Sequence, residues 1–365
     1  MKERLRALDM GLLIPMMLLV FMGTLTIYSA GRGMAVQSDI WLKQTFWNLM
    51  GFTLMACVAG VAPQRLFRRS SLFYILGLLT LVAVLVVGKK LGAGAGARRW
   101  IGIGKLTFQP SELMKWVTLL FVAHRLGTQP AEHLQTSDLL GAMALVFFPM
   151  LLVFKQPDLG MAISFLPILV LIPLIRGLKK RWIALGLVGV CLFGVFAWKK
   201  LLKPYQKERV MNFLRPDADL QGKNYQVNQS RIAIGAGGLT GQGFTAGSQT
   251  QLNFLPVKTT DFVFAAWAEE RGFIGVLMAL GLFAAVLNRI LSIARQARTQ
   301  SEAYFCAGAA AIFLLHIFVN VGMVAGVLPN KGIVLPFFSA GGSSTLSYFL
   351  GLGVVMGVQY RNRMK

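Results

Sequence analysis

Acidic residues are scarce in this 365-residue chain: 14 Asp and Glu stand against 37 Lys and Arg. Only 14% of residues are charged, while 55% are hydrophobic. A water-soluble domain of this length has too much surface to cover with so few charges, so the composition points to a membrane protein. Cysteine and histidine are also sparse, at three each. Cys57, Cys191 and Cys306 all sit inside apolar runs, which suits small packed hydrophobes. No spacing among these residues marks a metal site. The chain lacks a soluble basic domain and an aromatic RNA-binding signature, which excludes nucleic acid as the partner of its formal charge of +23. In a membrane protein that excess points to anionic lipids or lipid-linked substrates. No internal repeat is visible, and residues 1–365 read as a single polytopic domain.

What is there is a series of long apolar runs, and the fold class they predict is an all-α integral membrane protein. A span takes about 20 apolar residues, fewer when tilted or paired. Ten spans are predicted, at about 9–30, 42–61, 71–87, 111–123, 139–154, 159–175, 182–198, 273–291, 302–326 and 343–360. The first follows Lys2, Arg4 and Arg6 as a signal peptide would, but it runs too long for cleavage and reads as an uncleaved span. Short loops rich in cations, such as "APQRLFRRS" and "RGLKKR", fall on one side together with both ends of the chain, which places both termini in the cytoplasm. Two longer loops on the other side, 88–110 and about 199–272, are also basic. Snorkelling towards headgroups explains them, and so does a site for lipid-borne phosphates. Within the second, "WKKLLKPYQKERVMNFLRPD" alternates apolar and basic residues as an interfacial helix broken at Pro204 would.

Several motifs have two readings. "GAGGLTGQG" (235–243) has the look of a phosphate loop but lacks its Lys and Ser or Thr, and reads as a tight turn against the membrane surface. "GAGAGARRW" (92–100) reads as a flexible approach to Arg98 and Arg99. Gly353 and Gly357 are spaced for close helix packing. "QPSELMK" opens the fourth span, where Glu112 and Lys115 share a face. They are either an internal ion pair or a functional pair within the membrane. Asp158 in "QPDLG" suits a turn.

"KTTDFVFAAWAEERG" (258–272) puts three acids at the edge of an apolar run. Thr259 or Thr260 would cap a helix with Asp261 in its first turn, Lys258 one turn before it, and Glu269, Glu270 and Arg271 as interface charges. In a continuous helix Asp261 and Glu270 face opposite ways. That leaves two options: a carboxylate that only stabilises the helix dipole, or a single base between an apolar groove and a basic outer loop.

The stretches "ARRWIGIGKLTFQPSELMK", "QPDLG", "YQVNQSRIAIGAGGLTGQGF", "GSQTQLNFLP", "TDFVFAAWAEERG" and "LPNKGIVLPFFSAGGSS" resemble, in order and nearly end to end, the shape, elongation, division and sporulation (SEDS) family of peptidoglycan glycosyltransferases. The resemblance implies ten membrane helices, a large extracytoplasmic loop between the seventh and eighth, and residence in the bacterial cytoplasmic membrane. It implies polymerisation of lipid II beside a class B penicillin-binding protein, with an essential aspartate at Asp261 and a buried pair at Glu112 and Lys115. Candidate substrate contacts are Arg99, Lys115, Arg209, Gln229, Ser230 and Lys258. Thr259, Arg271 and Ala340 depart from common family residues. "GSQTQLNFLP" leans towards the elongation member and Lys331 towards the division member. The residues name no definite cofactor, and a divalent cation that shares the leaving charge is left as an option. The alternatives are a lipid II flippase, a division-specific polymerase and a non-catalytic scaffold.

Overall fold

The computed structural model describes residues 9–32, 39–90, 98–103, 106–129, 136–175, 188–189, 194–201, 207, 211, 225–329 and 332–364. The chain begins with α1 (Met10–Gly31), α2 (Ile40–Ala59), the short α3 (Pro63–Arg68) and α4 (Ser70–Val87). Strands β1 (Lys89–Lys90), β2 (Arg98–Ile103) and β3 (Leu106–Phe108) follow, then α5 (Pro110–Gly127), α6 (Thr136–Lys155), α7 (Leu159–Ile163) and α8 (Leu166–Ile175). The second half holds α9 (Tyr225–Gly237), α10 (Ser248–Gln251), α11 (Val263–Arg295), α12 (Gln300–Val324) and α13 (Gly342–Arg363).

Five of the described helices are long and apolar enough to cross a membrane: α1, α4, most of α6 (Ser137–Lys155), α11 and α12. Their outward faces carry exposed side chains such as Phe21, Leu79, Val87, Ile274 and Phe318. Water would not tolerate this many, and lipid does. Helices α2, α5 and α13 are of similar length, but polar side chains such as Gln44, Asn48, Glu112 and Lys115 turn inwards from α2 and α5. The chain is thus a mostly helical, multi-pass membrane protein.

Packing follows the small residues. Helix α13 lies along α2, and α11 lies along α1 and α12. A Cβ on Gly353 would sit 2.9 Å from the Val58 side chain, and one on Gly357 3.4 Å from the Ala59 carbonyl. The predicted close contact through these glycines is therefore present, with α2 as its partner. At one end of the bundle Asp9 is buried and receives Arg289 of α11 at 2.7 Å and Arg363 of α13 at 3.8 Å. The two ends of the described chain thus share one face of the bundle, as the loop charges predict.

Three expectations change, and a fourth falls outside the described residues. The segment 88–110 contains a three-stranded antiparallel sheet, with Lys89 opposite Trp100 and Gly102 opposite Thr107. Its "RRW" is strand rather than flexible approach, and 92–97 lie outside the described residues. The sixth span is interrupted at Ser164 and Phe165, between α7 and α8, and Asp158 caps the start of α7 by accepting from Met161 N–H. The seventh span and the amphipathic segment after it fall largely outside the described residues. The eighth span starts ten residues early, at Val263, so residues 263–271 are helix and not outer loop.

That last helix is broken at Gly272, which has φ 62 and ψ −165. In an unbroken helix Phe273 and Ile274 would donate to the carbonyls of Glu269 and Glu270. Here Phe273 N–H donates to Gly238 O (2.9 Å) and Ile274 N–H to Leu239 O (3.1 Å). The freed Glu269 and Glu270 carbonyls accept from Gln242 N–H (2.9 Å) and Gly243 N–H (3.1 Å). "GAGGLTGQG" is a tight turn as expected, but it is folded into this helix break rather than against the membrane surface. Unpaired backbone groups are costly inside a membrane protein, and the turn satisfies all four. Only glycine adopts the Gly272 conformation readily, and a Cβ there would meet Gly241 N at 2.3 Å. Gly272→Ala is therefore expected to lower stability by at least about 1–3 kcal/mol. Gly281→Ala, where nothing lies within 4 Å, should be neutral or gain up to about 1 kcal/mol. Thermal unfolding of both variants in detergent checks the pair.

Candidate active site

Asp261 lies at the end of the bundle opposite Asp9. Helix α12 shows this directly: Asn320, near its C-terminus, donates to the Asp261 carbonyl at 3.1 Å. Glu302, at its start, binds Arg361 near the C-terminal end of α13. Eighteen residues of helix separate the two contacts, about 27 Å.

The helix-capping role expected of Thr259 or Thr260 does not hold. Helix α11 begins at Val263 with Phe262 as an uncapped N-cap, and Asp261 sits in the turn before it. Both threonine carbonyls are committed elsewhere: Thr259 O accepts from Ala340 N–H (2.9 Å) and Thr260 O from Ser339 Oγ (2.8 Å). The residues that engage them belong to a loop, 332–341, whose Leu335, Phe337, Phe338, Ser339 and Ala340 are buried. Phe338 packs edge-on against Phe264 and Trp267 of α11. A Cβ on Gly23 of α1 would lie 2.6 Å from Phe338 Cα, so α1 closes directly on this loop. Asn320 also donates to Ile333 O at 2.8 Å, pinning the loop and the Asp261 turn together. Asp261 itself is half-buried, with a carboxylate oxygen 3.6 Å from where a Gly332 Cβ would stand.

The neighbouring acids have other work. Glu269 is buried and accepts from Gln249 N–H (2.6 Å), Thr250 N–H (3.0 Å) and Thr250 Oγ1 (2.6 Å), anchoring α10. Glu270 is buried and accepts from the Ser29 hydroxyl of α1. Neither is an interface charge. Arg271 stacks over Phe244 and Trp267, which gives its departure from the common family residue a packing role.

The other predicted residues are spread over several elements. Lys258 is not one helical turn from Asp261. It is buried, with its ammonium donating to Thr250 O and to Asn253 Oδ1 (2.7 Å). Burial pulls its pKa below the ordinary lysine value, against the opposing pull of the Glu269 carboxylate. Arg99, partly exposed on β2, donates to the carbonyls of Gln156 and Pro157 and pairs with Asp158 at 3.5 Å. Gln109 Nε2 completes that group by donating to Asp158 at 2.9 Å. Burial raises the Asp158 carboxyl above its usual range, with Arg99 as the largest opposing influence. Ser230 on α9 donates to Val324 O (2.7 Å), and Gln229 beside it is half-buried. Arg209 and Lys331 lie outside the described residues.

Glu112 and Lys115 form a buried pair at 2.6 Å. Ser347 Oγ donates to the same carboxylate oxygen at 3.2 Å, and the ammonium stands 4.5 Å from the centre of the Tyr348 ring. Tyr348 in turn meets His316 Nδ1 at 2.6 Å. Among the described residues no group of three or more acids, His or Cys could hold a metal ion.

Asn320, Ser339, Gln109 and Ser29 are contacts that the motifs did not single out. Asn320 carried a signal, because a lone amide inside an apolar run needs a partner.

A family profile for FtsW, RodA and SpoVE, described as a cell cycle protein, matches residues 9–364. The chain belongs to this family. Among FtsW/RodA/SpoVE relatives, it is 36% identical over 359 residues to the peptidoglycan glycosyltransferase MrdB of Escherichia coli K12, covering 98% of this chain and 95% of that one. It is 33% identical over 369 residues to a probable peptidoglycan glycosyltransferase FtsW of Thiomicrospira cyclica, covering 99% and 94%. A solved chain described under the structural coordination of polymerization and crosslinking by a peptidoglycan synthase complex aligns with TM-score 0.82 and 33% identity, covering 98% and 99%. An aspartate-to-alanine variant of the rod shape determining protein RodA of Thermus thermophilus aligns with TM-score 0.73 and 29% identity, also covering 98% and 99%. The family expected from the motifs is the family found, and the likeness to the RodA fold covers 98% of the chain.

The buried pair yields a prediction. Glu112→Gln leaves the Lys115 ammonium without its carboxylate and should cost about 3–5 kcal/mol, whereas Glu112→Gln with Lys115→Met should recover much of the loss. Thermal unfolding in detergent compares the single and double variants.

Proposed function

We propose that this chain, a peptidoglycan glycosyltransferase of the FtsW/RodA/SpoVE family, polymerises lipid II into β-1,4 glycan strands at the outer face of the bacterial inner membrane during cell elongation. It would do so with ten spans and with its active site at the end of the bundle away from Asp9. The observation that carries this reading is where the Asp261 turn is held. Glu269 and Glu270 brace α10 and α1, whereas Asp261 sits half-buried at the end of the bundle opposite Asp9, in a turn fixed by Asn320 of α12 and by the buried loop 332–341.

A single base suits the chemistry. The donor sugar is α-linked to a polyprenyl pyrophosphate and the product bond is β, so one inversion suffices and no glycosyl-enzyme is required. Asp261 takes the proton from the acceptor 4-hydroxyl as that oxygen attacks the donor anomeric carbon and the pyrophosphate departs. A positioned base of this kind contributes about 10²–10⁴-fold. The departing charge calls for fixed cations. Lys115 and Lys258 are bound to internal partners, so their part in this reading is to hold the site in shape. Arg99, partly exposed while it holds Asp158 and the Gln156 and Pro157 carbonyls, and Arg209 are the candidates for contact with phosphate. Gln229 and Ser230 line the helix that braces the end of α12. A class B penicillin-binding protein is the proposed partner, supported by the likeness to a chain from a polymerising and crosslinking complex.

Purified protein given lipid II in detergent with that partner tests the reading. Wild type should form polymer, and Asp261→Asn should lose about 10²–10⁴-fold in rate while unfolding at the wild-type temperature. A folded Asp261→Asn that polymerises at full rate overturns the role of Asp261. Lipid movement in vesicles without polymer from wild type would instead favour a flippase.

A further inference from the structure

At the end of the bundle away from Asp261, the elbow between α2 and α4 encloses a cleft of about 320 Å³. Val61, Arg65, Leu66, Arg68, Arg69 and Phe73 line it. The geometry of α3 puts three guanidinium groups on one side. Arg65, Arg68 and Arg69 are three and four residues apart and share a face, while Pro63 and Phe67 occupy the opposite face and are buried. Gln64 anchors this short helix by donating to Glu302 at 3.0 Å.

Among the described residues none of the three arginines has a carboxylate within ion-pair distance. The nearby Glu302 is already engaged by Gln64, by Arg361 at 3.3 Å and by Thr299 N–H at 3.2 Å. The other wall of the cleft is apolar, and it continues along the membrane face of α4. Leu72, Ile75, Leu76 and Leu79 are all exposed there at helical spacing. A compact cation cluster at headgroup level, joined to a continuous apolar track, matches a ligand with an anionic head and a hydrocarbon tail.

We propose that this elbow is a binding site for an anionic glycerophospholipid. The phosphodiester is held by Arg65, Arg68 and Arg69, and one acyl chain lies over Leu66 and Phe73 and along α4. Arginine forks suit phosphate oxygens. The site is at the other end of the bundle from Asp261 and would tie the resting position of α3, and through Gln64 the start of α12, to the lipid composition of that leaflet.

The test uses the full chain in detergent, titrated with dioleoyl phosphatidylglycerol and read by native mass spectrometry and thermal shift. Each arginine near a membrane surface is worth about fivefold in binding. The variant Arg65→Gln with Arg68→Gln and Arg69→Gln should therefore weaken phosphatidylglycerol binding on the order of 10²-fold. Removing Arg295 and Arg298, which do not line the cleft, by the same substitution should weaken saturable binding far less than the triple variant does, because cations away from the bound headgroup act on it only through a screened field. Phosphatidylcholine should give no saturable shift. If the triple variant does not fold, Arg68→Gln alone should still show about a fivefold loss. Equal binding by the triple or single variant and the wild type overturns the site. A shift reproduced by inorganic phosphate or glycerol phosphate alone would overturn the lipid assignment in favour of a soluble anion.

Discussion

The exchange of backbone hydrogen bonds around Gly272 is the constraint on which the rest of the outer half of the molecule depends. Helix α11 gives up two of its own bonds there, and the turn 238–243 supplies two donors and two acceptors in their place. The break lets residues 263–270 enter the bundle as a buried segment. Its side chains then become fixed points: Trp267 packs on Phe338, Glu269 anchors α10, and Glu270 reaches Ser29 of α1. With those in place, the turn that carries Asp261 has nowhere to drift. The glycines of one motif and the acids of another are thus two halves of one joint.

Much of this was legible in the residues, and the exceptions have physical causes. The five candidate spans among the described residues fall on runs that apolar length marks out, and the shared side of the two ends of the described chain follows from loop charge. The helix-break joint did not show. Nothing in "AEERGFIG" distinguishes a glycine in a strained conformation from one that merely continues a helix, because the distinguishing partner lies some thirty residues upstream. Asp261 was legible as the odd carboxylate at an apolar boundary. Its place in a turn was not, because local capping rules know nothing of the loop 332–341 that takes up the Thr259 and Thr260 carbonyls. Lys258 shows the same limit. A cation three residues from an acid looks like its neighbour, yet a positive φ at Val257 helps set the course of the turn, and its ammonium ends on Thr250 and Asn253.

The polar interior divides into separate groups rather than one channel of charge. Arg99, Asp158, Gln109 and Ser343 join the small sheet to the starts of α5, α7 and α13. Glu112, Lys115 and Ser347 join α5 to α13 deeper in the bundle, with Tyr348 and His316 alongside. Each group ties helices that are remote in sequence, and each satisfies its members in a setting where a missing partner is costly. Membrane helices gain little from hydrophobic burial against one another, so such ties give the bundle its register.

Helix α2 illustrates what this design demands of biosynthesis. Its inward amide, Gln44, donates to Thr345, 301 positions later, and Gly51 faces the ring of Phe349. During synthesis, Gln44 and Asn48 can partner each other and Thr24 of α1 as soon as α1 and α2 are made. The Thr345 contact and the packing of Phe349 on Gly51 wait until α13 has followed some 300 residues later.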